Sequence, residues 1–132
     1  MESHKLNIEM GSSLEQVKNE INAILVELRK SIKEEDVIFE TRTILTELVI
    51  NAIIHGNLLD ESKKVQLEIF LENDEMKICV KDEGVGFEYC TDSYNVYDLN
   101  SNGRGLLIVK GLSDELNINK NKVSVRKSLK KE

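Results

Sequence analysis

Three short stretches carry residue types whose spacing could do chemistry. Gly103-Arg104-Gly105 precedes an apolar run with helical spacing. A glycine-rich turn opening a helix offers free backbone N–H groups and the positive end of a dipole, which suits a phosphate. Arg104 adds a guanidinium that can pair with one. Asp82 is followed by Gly84 and Gly86 at two-residue intervals. Met76, Ile78 and Val80 alternate toward a core, so Asp82 continues on their side, and a carboxylate buried there needs partners. The two glycines permit a turn closed to other residues and leave room for something flat to lie against the backbone. The alternative is an ordinary aspartate at a strand end before a glycine turn. Glu47, Asn51 and His55 fall four apart. On a helix, each such step turns by only about 40°. The three therefore form a polar row, either a solvated flank or the floor of a site.

The elements that must position these residues follow from periodicity. Leu45, Leu48, Val49, Ala52 and Ile53 recur at three- and four-residue intervals, which predicts a core helix over about 36–54, stopped by Gly56-Asn57. An earlier helix is expected from Leu14 to about Ser31, with Val17, Ile21, Ile24, Leu25 and Leu28 inward. Its start has capping-box spacing, Ser12 with Glu15 or Ser13 with Gln16. A third helix carries Leu106, Leu107, Val109 and Leu112. Strands are expected at 6–10 on an edge, at 65–71 and 76–80 as an antiparallel pair about a turn at 72–75, and at 115–119 and 122–126 about a second hairpin turn. Residues 88–102 read as a polar lid-like loop containing Tyr94 and Tyr97, too long for a plain connection. The charged end, 128–132, is expected to fray.

Composition bounds the function classes. A chain of 132 residues suits a single domain, and 40% apolar with 32% charged residues is ordinary for a soluble protein. The net charge of -6 argues against a general nucleic-acid binder. No eighteen-residue apolar run and no signal-peptide core are present, so a cytoplasmic location is expected. Cys79 and Cys90 have neither metal-site spacing nor a nearby histidine, and are expected to be reduced thiols.

Taken together, Glu47-x-x-x-Asn51, Asp82-x-Gly84-x-Gly86 and Gly103-x-Gly105, in that order, resemble the N, G1 and G2 boxes of the GHKL ATPase superfamily. Residues 47–57 and 82–87 are similar to those of bacterial anti-sigma factor serine/threonine kinases. The resemblance implies a two-layer α/β sandwich of the Bergerat type, a mixed, mostly antiparallel sheet with helices on one face. It implies one histidine-kinase-like ATP-binding domain over 1–132. It implies ATP and Mg²⁺ as cofactors. Asn51 would ligate the metal, and Asp82 would accept a hydrogen bond from the adenine amino group. Gly84 and Gly86 would let the base approach, and Gly103, Arg104, Gly105 and Leu106 would close on the phosphates. Glu47 would serve as the base toward an incoming hydroxyl. A packed, hydrogen-bonded role is expected for His55. The proline that often follows the second box in the family is absent here.

The same resemblance implies an anti-sigma factor that phosphorylates an anti-anti-sigma protein of the STAS type. Its partners would be a sigma factor and that protein, with a homodimer as the assembly and no nucleic acid or membrane contact. The competing reading is a module that holds ATP as a conformational ligand and regulates a partner without phosphoryl transfer; a base at Glu47 argues against it. A two-component histidine kinase would need a dimerising helix with a phospho-accepting histidine upstream. Gyrase, chaperone and mismatch-repair relatives would need a following transducer domain.

Overall fold

The fold was analysed in a computed structural model, which describes residues 3–84 and 101–129. The apolar alternation seen in the sequence becomes a five-stranded sheet with the order β1-β2-β3-β5-β4. Its strands are β1 His4–Gly11, β2 Lys64–Glu72, β3 Glu75–Lys81, β4 Glu115–Asn119 and β5 Lys122–Ser128. All four pairings are antiparallel, the antiparallel end of the expectation. Register brings the inward residues into rows: Leu6 opposite Ile69, Ile69 opposite Ile78, and Ile78 opposite Val125. A one-residue slip would turn every one of them to solvent, so burial fixes the pairing. Asn73 and Asp74 close the β2–β3 hairpin with φ of 54° and 60°. These are residue types that tolerate the left-handed region a tight hairpin turn requires.

Three helices cover the inward face: α1 Leu14–Leu28, α2 Glu35–Asn51 and α3 Ser101–Leu112. α2 lies between the other two and touches β3. Its central position explains why Val37, Ile38, Thr41, Ile44, Leu45, Leu48 and Val49 are all buried. Leu45 is 0% exposed, and truncating such a residue to alanine typically costs about 2–5 kcal/mol in lost burial and residual cavity. At the far end of α3, Lys127 reaches in from β5. Its Nζ donates to the Leu112 carbonyl at 2.8 Å and pairs with Glu40 of α2 at 2.6 Å. A cation on the last carbonyls of a helix is favoured by the dipole, so this contact pins the C-terminus of α3.

Several boundaries differ from the expectations. α1 ends at Leu28, three residues early, and neither capping box forms. Ser13 occupies the N-cap without a side-chain bond, and the Ser12 hydroxyl donates instead to the Lys63 carbonyl at 2.8 Å. A tertiary partner has won over the local one. Ser128 ends β5 rather than starting a frayed tail, and the Leu129 N–H donates to the Asp74 carbonyl at 2.8 Å. α2 gives way after Asn51 to a π-turn over Ala52–Gly56, sealed by the Asn57 N–H donating to the Ala52 carbonyl at 2.8 Å. Beyond it Leu58 and Leu59 both take positive φ, 53° and 63°, which carries the chain sharply away toward β2.

Candidate functional site

The continuous helical run of α2 and its π-turn is the spine of the site, and each end meets a different part of the chain. At the first end Glu47 and Asn51, both half-buried, face α3. A Cβ placed on Gly105 would lie 2.6 Å from Glu47 Oε1 and 3.6 Å from Asn51 Nδ2. The missing side chain at Gly105 is therefore what lets α3 settle onto the carboxylate. Asn51 Nδ2 is buried with no hydrogen-bond partner among the described residues. Such orphaned amide groups are uncommon, and they are costly unless something else satisfies them.

The second end is built by the π-turn. A Cβ on Gly56 would fall 2.1 Å from Asp82 Oδ2, and one on Gly84 would fall 2.1 Å from the Gly56 carbonyl oxygen. Three residues from two segments thus pack with no room for a methyl group. The Gly84 N–H donates to Asp82 Oδ1 at 2.8 Å. The Asp82 backbone is held on both sides by the β4–β5 turn: its N–H donates to the Asn121 carbonyl at 3.1 Å, and Asn121 Nδ2 donates to its carbonyl at 2.6 Å. Burial pushes the Asp82 carboxyl above its ordinary value, while the Gly84 N–H and the charge of Lys63 pull the other way. The inward carboxylate expected from strand parity is therefore present, and desolvation is the strongest influence on it.

Asn57 organises the surroundings of this end. It is 0% exposed. Its Oδ1 accepts from the Glu83 N–H at 2.7 Å, and its Nδ2 donates to Ser12 Oγ at 2.9 Å and to the Lys64 carbonyl at 3.1 Å. Glu83 closes the circuit by accepting from the Lys64 N–H. A single amide side chain thus joins the π-turn, the β1–α1 junction, the start of β2 and the segment after β3.

The residues singled out in the sequence are placed as follows. Glu47, Asn51 and Gly105 come together, as do Asp82 and Gly84. The glycines 103 and 105 lie inside α3, not in a turn before it; the helix already runs from Ser101, so the phosphate-turn geometry expected there is not what the chain adopts. Leu106 is 1% exposed and points into the core. Gly86, the loop 88–100 with Tyr94 and Tyr97, and the side chain of Arg104 lie outside the described residues. His55 leaves the row. The i→i+5 bonding of the π-turn widens the spiral and breaks the four-residue alignment, and His55 is exposed with no hydrogen bond among the described residues. The expectation of a packed, hydrogen-bonded histidine is thereby corrected. Gly56 and Asn57 fall within the resembling stretch 47–57 but read individually only as a helix stop, and Asn121 reads only as a hairpin residue.

Comparison with known proteins places this geometry. A model of the histidine kinase-like ATPase domain matches residues 10–127. The anti-sigma F factor of Clostridium perfringens (strain SM101 / Type A) is similar, with 32% identity over 103 aligned residues that cover 74% of this chain and 71% of the relative. The anti-sigma F factor of Oceanobacillus iheyensis is 32% identical over 88 residues, covering 63% of this chain and 60% of the relative. That of Shouchella clausii is 29% identical over 103 residues, covering 74% and 68% respectively. No helix among the described residues is long and apolar enough to cross a membrane.

Proposed function

The chain belongs to the histidine kinase-like ATPase domain family, and from that premise we propose that it is an ATP-binding anti-sigma factor that phosphorylates an anti-anti-sigma protein of the STAS type on serine or threonine. The names of the relatives supply the first half of this reading. The observation that carries the second is the spine itself, which holds a carboxylate and an amide at one end and a clamped aspartate at the other.

The residues fit a bound magnesium nucleotide. Asn51 offers a buried amide with an unmet bond, and an amide turned end for end presents its oxygen where the nitrogen now stands. That oxygen suits Mg²⁺, which takes few protein ligands. At the other end Gly56, Asp82 and Gly84 pack so closely that a side chain on either glycine would collide with its neighbour. That packing holds Asp82 in place, and its Oδ2, which makes no hydrogen bond among the described residues, would accept the amino hydrogen of a planar base. Bound Mg-ATP would supply the transferable phosphoryl group and the cation that balances its charge. Glu47 orients the incoming serine or threonine hydroxyl or takes its proton. Gly103, Arg104 and Gly105, with Gly86, are assigned to nucleotide contacts on the motif alone; any contribution of Leu106 is confined to its backbone.

The test is a radiolabelled-ATP transfer assay with the sigma factor and the STAS-type protein encoded nearest to this chain, run beside a nucleotide titration. Label on the STAS protein is the expected result. ATP binding without transfer to any such protein would leave a regulatory module that uses ATP as a conformational ligand.

A further inference from the structure

We infer that Asn57 is a positioning residue for base recognition, acting through Asp82 on the difference between adenine and other purines. The inference rests on the reading of Asp82 given under Proposed function. Asp82 can discriminate only if its free oxygen is held at a fixed place, because a hydrogen bond weakens steeply with misalignment. Asn121 grips its backbone on both sides, through the Asp82 N–H and the Asp82 carbonyl. The peptide that follows is held a second time, its Glu83 N–H donating to Asn57 Oδ1 at 2.7 Å. The Asp82 side chain is set between them, with Oδ1 spent on the Gly84 N–H and Oδ2 against Gly56.

Asn57 is suited to hold that position because it cannot itself move cheaply. It is fully buried, and its amide group uses both ends, accepting from Glu83 and donating to Ser12 and Lys64. Its backbone N–H closes the π-turn that carries Gly56 to Asp82. One residue therefore fixes both partners of the Gly56–Asp82 contact: the glycine on the helical side and the aspartate on the strand side. Its distance from the phosphate end, along the spine from Asn51, makes its effect separable from metal binding.

The experiment compares ATP with inosine triphosphate, which carries an oxygen where ATP carries the exocyclic amino group. Magnesium complexes of both are titrated onto wild type, Asn57→Ala, Asn57→Asp and Ser12→Ala, with thermal melts on the same preparations. Wild type should prefer ATP. Asn57→Ala should weaken ATP about tenfold, the loss expected for a misplaced buried bond, with little change for inosine triphosphate. Ser12→Ala breaks the same buried circuit but leaves the Asn57–Glu83 bond, so it should lower the melting temperature and keep the preference. Asn57→Asp retains an acceptor for Glu83 and should keep it too. Wild type without a preference overturns the reading of Asp82, and this inference with it. A preference in wild type that survives in Asn57→Ala, or that Ser12→Ala erases equally, overturns the inference alone. Should Asn57→Ala not fold, Asn57→Asp decides: loss of the preference there overturns it.

Discussion

The two ends of the α2 spine differ in how much of their hydrogen bonding the chain supplies for itself. Around Asp82 the chain supplies most of the partners: Gly84, Asn121 and Asn57 between them hold one carboxylate oxygen and the two flanking peptides, with Oδ2 left over. Around Asn51 the opposite holds, with a buried amide left unmet and Gly105 lying bare against Glu47. The first end has its geometry set by the chain itself. The second keeps an amide nitrogen unpaired among the described residues, at the place where the proposed metal nucleotide would bind. Substitutions at the first end should therefore cost stability and binding together, whereas those at the second should change function and leave the fold intact.

The sharpest way to break this contrast is Glu47→Ala. Glu47 makes no hydrogen bond among the described residues, so the variant should melt like wild type and bind Mg-ATP with near-normal affinity. Phosphate transfer should fall by about 10²–10⁴-fold, the usual contribution of a general base. Transfer at the wild-type rate would move the base elsewhere. Gly84→Ala probes the other end. Its methyl group would meet the Gly56 carbonyl at 2.1 Å, and backbone cannot step aside as a side-chain tip can. Overpacking of this kind costs about 1–3 kcal/mol, so both the melting temperature and ATP affinity should drop. An unchanged melt would show the base-facing end to be less rigid than its bonding suggests.

Asn51→Ala should weaken Mg-ATP by about tenfold while metal-free ATP binds as before, measured by paired calorimetric titrations. It should not destabilise the free chain through a lost hydrogen bond of Nδ2, which has no partner among the described residues. Equal weakening with and without metal would remove Asn51 as a ligand. The smallest effect is a pH dependence at Asp82. Its folded pKa is raised above the ordinary 3.8 by burial. The folded chain therefore holds the proton more tightly than the unfolded one. The stability this gives is fully present below 3.8 and is lost as pH rises through the raised value. Asp82→Asn removes the ionisation, so its stability relative to wild type should be most favourable near neutral pH and should narrow on acidification, even as ATP binding is lost. Denaturant titrations across that pH range read the narrowing; a gap that widened on acidification would contradict it.

Much of this was legible in the chain because burial writes itself as a period. Alternation in 65–71 and 76–80 gave the hairpin and its inward face, and the parity of Met76, Ile78 and Val80 put Asp82 on the correct side. The stripe from Leu45 to Ile53 gave the core helix. What could not be read were features decided by partners remote in sequence. Ser12 looked like a helix cap, yet bonds Lys63 and Asn57. Asn57 looked like a stop signal, since nothing local distinguishes a buried amide with three side-chain bonds from a solvated one. The glycines before Leu106 looked like a turn because glycine weakens helices, whereas packing on Glu47 gives Gly105 a place inside one. His55 was misjudged because the four-residue ruler assumes an unbroken α-helix.

That broken ruler has a consequence for how the chain can vary. The wide turn over Ala52–Gly56 works as a phase shift between two halves of one rod. Before it, the angular position of Glu47 and Asn51 is set by α-helical winding; after it, Gly56 and Asn57 are turned to meet Asp82. The turn already holds the one extra residue that its closing bond, from the Asn57 N–H to the Ala52 carbonyl, can span. Removing one residue would let the same pair meet as an ordinary α-helical bond, so the chain beyond would keep its heading. A further residue would have no such bond to absorb it and would turn Gly56 away from Asp82 by about 100°. The segment should therefore tolerate a deletion better than an insertion.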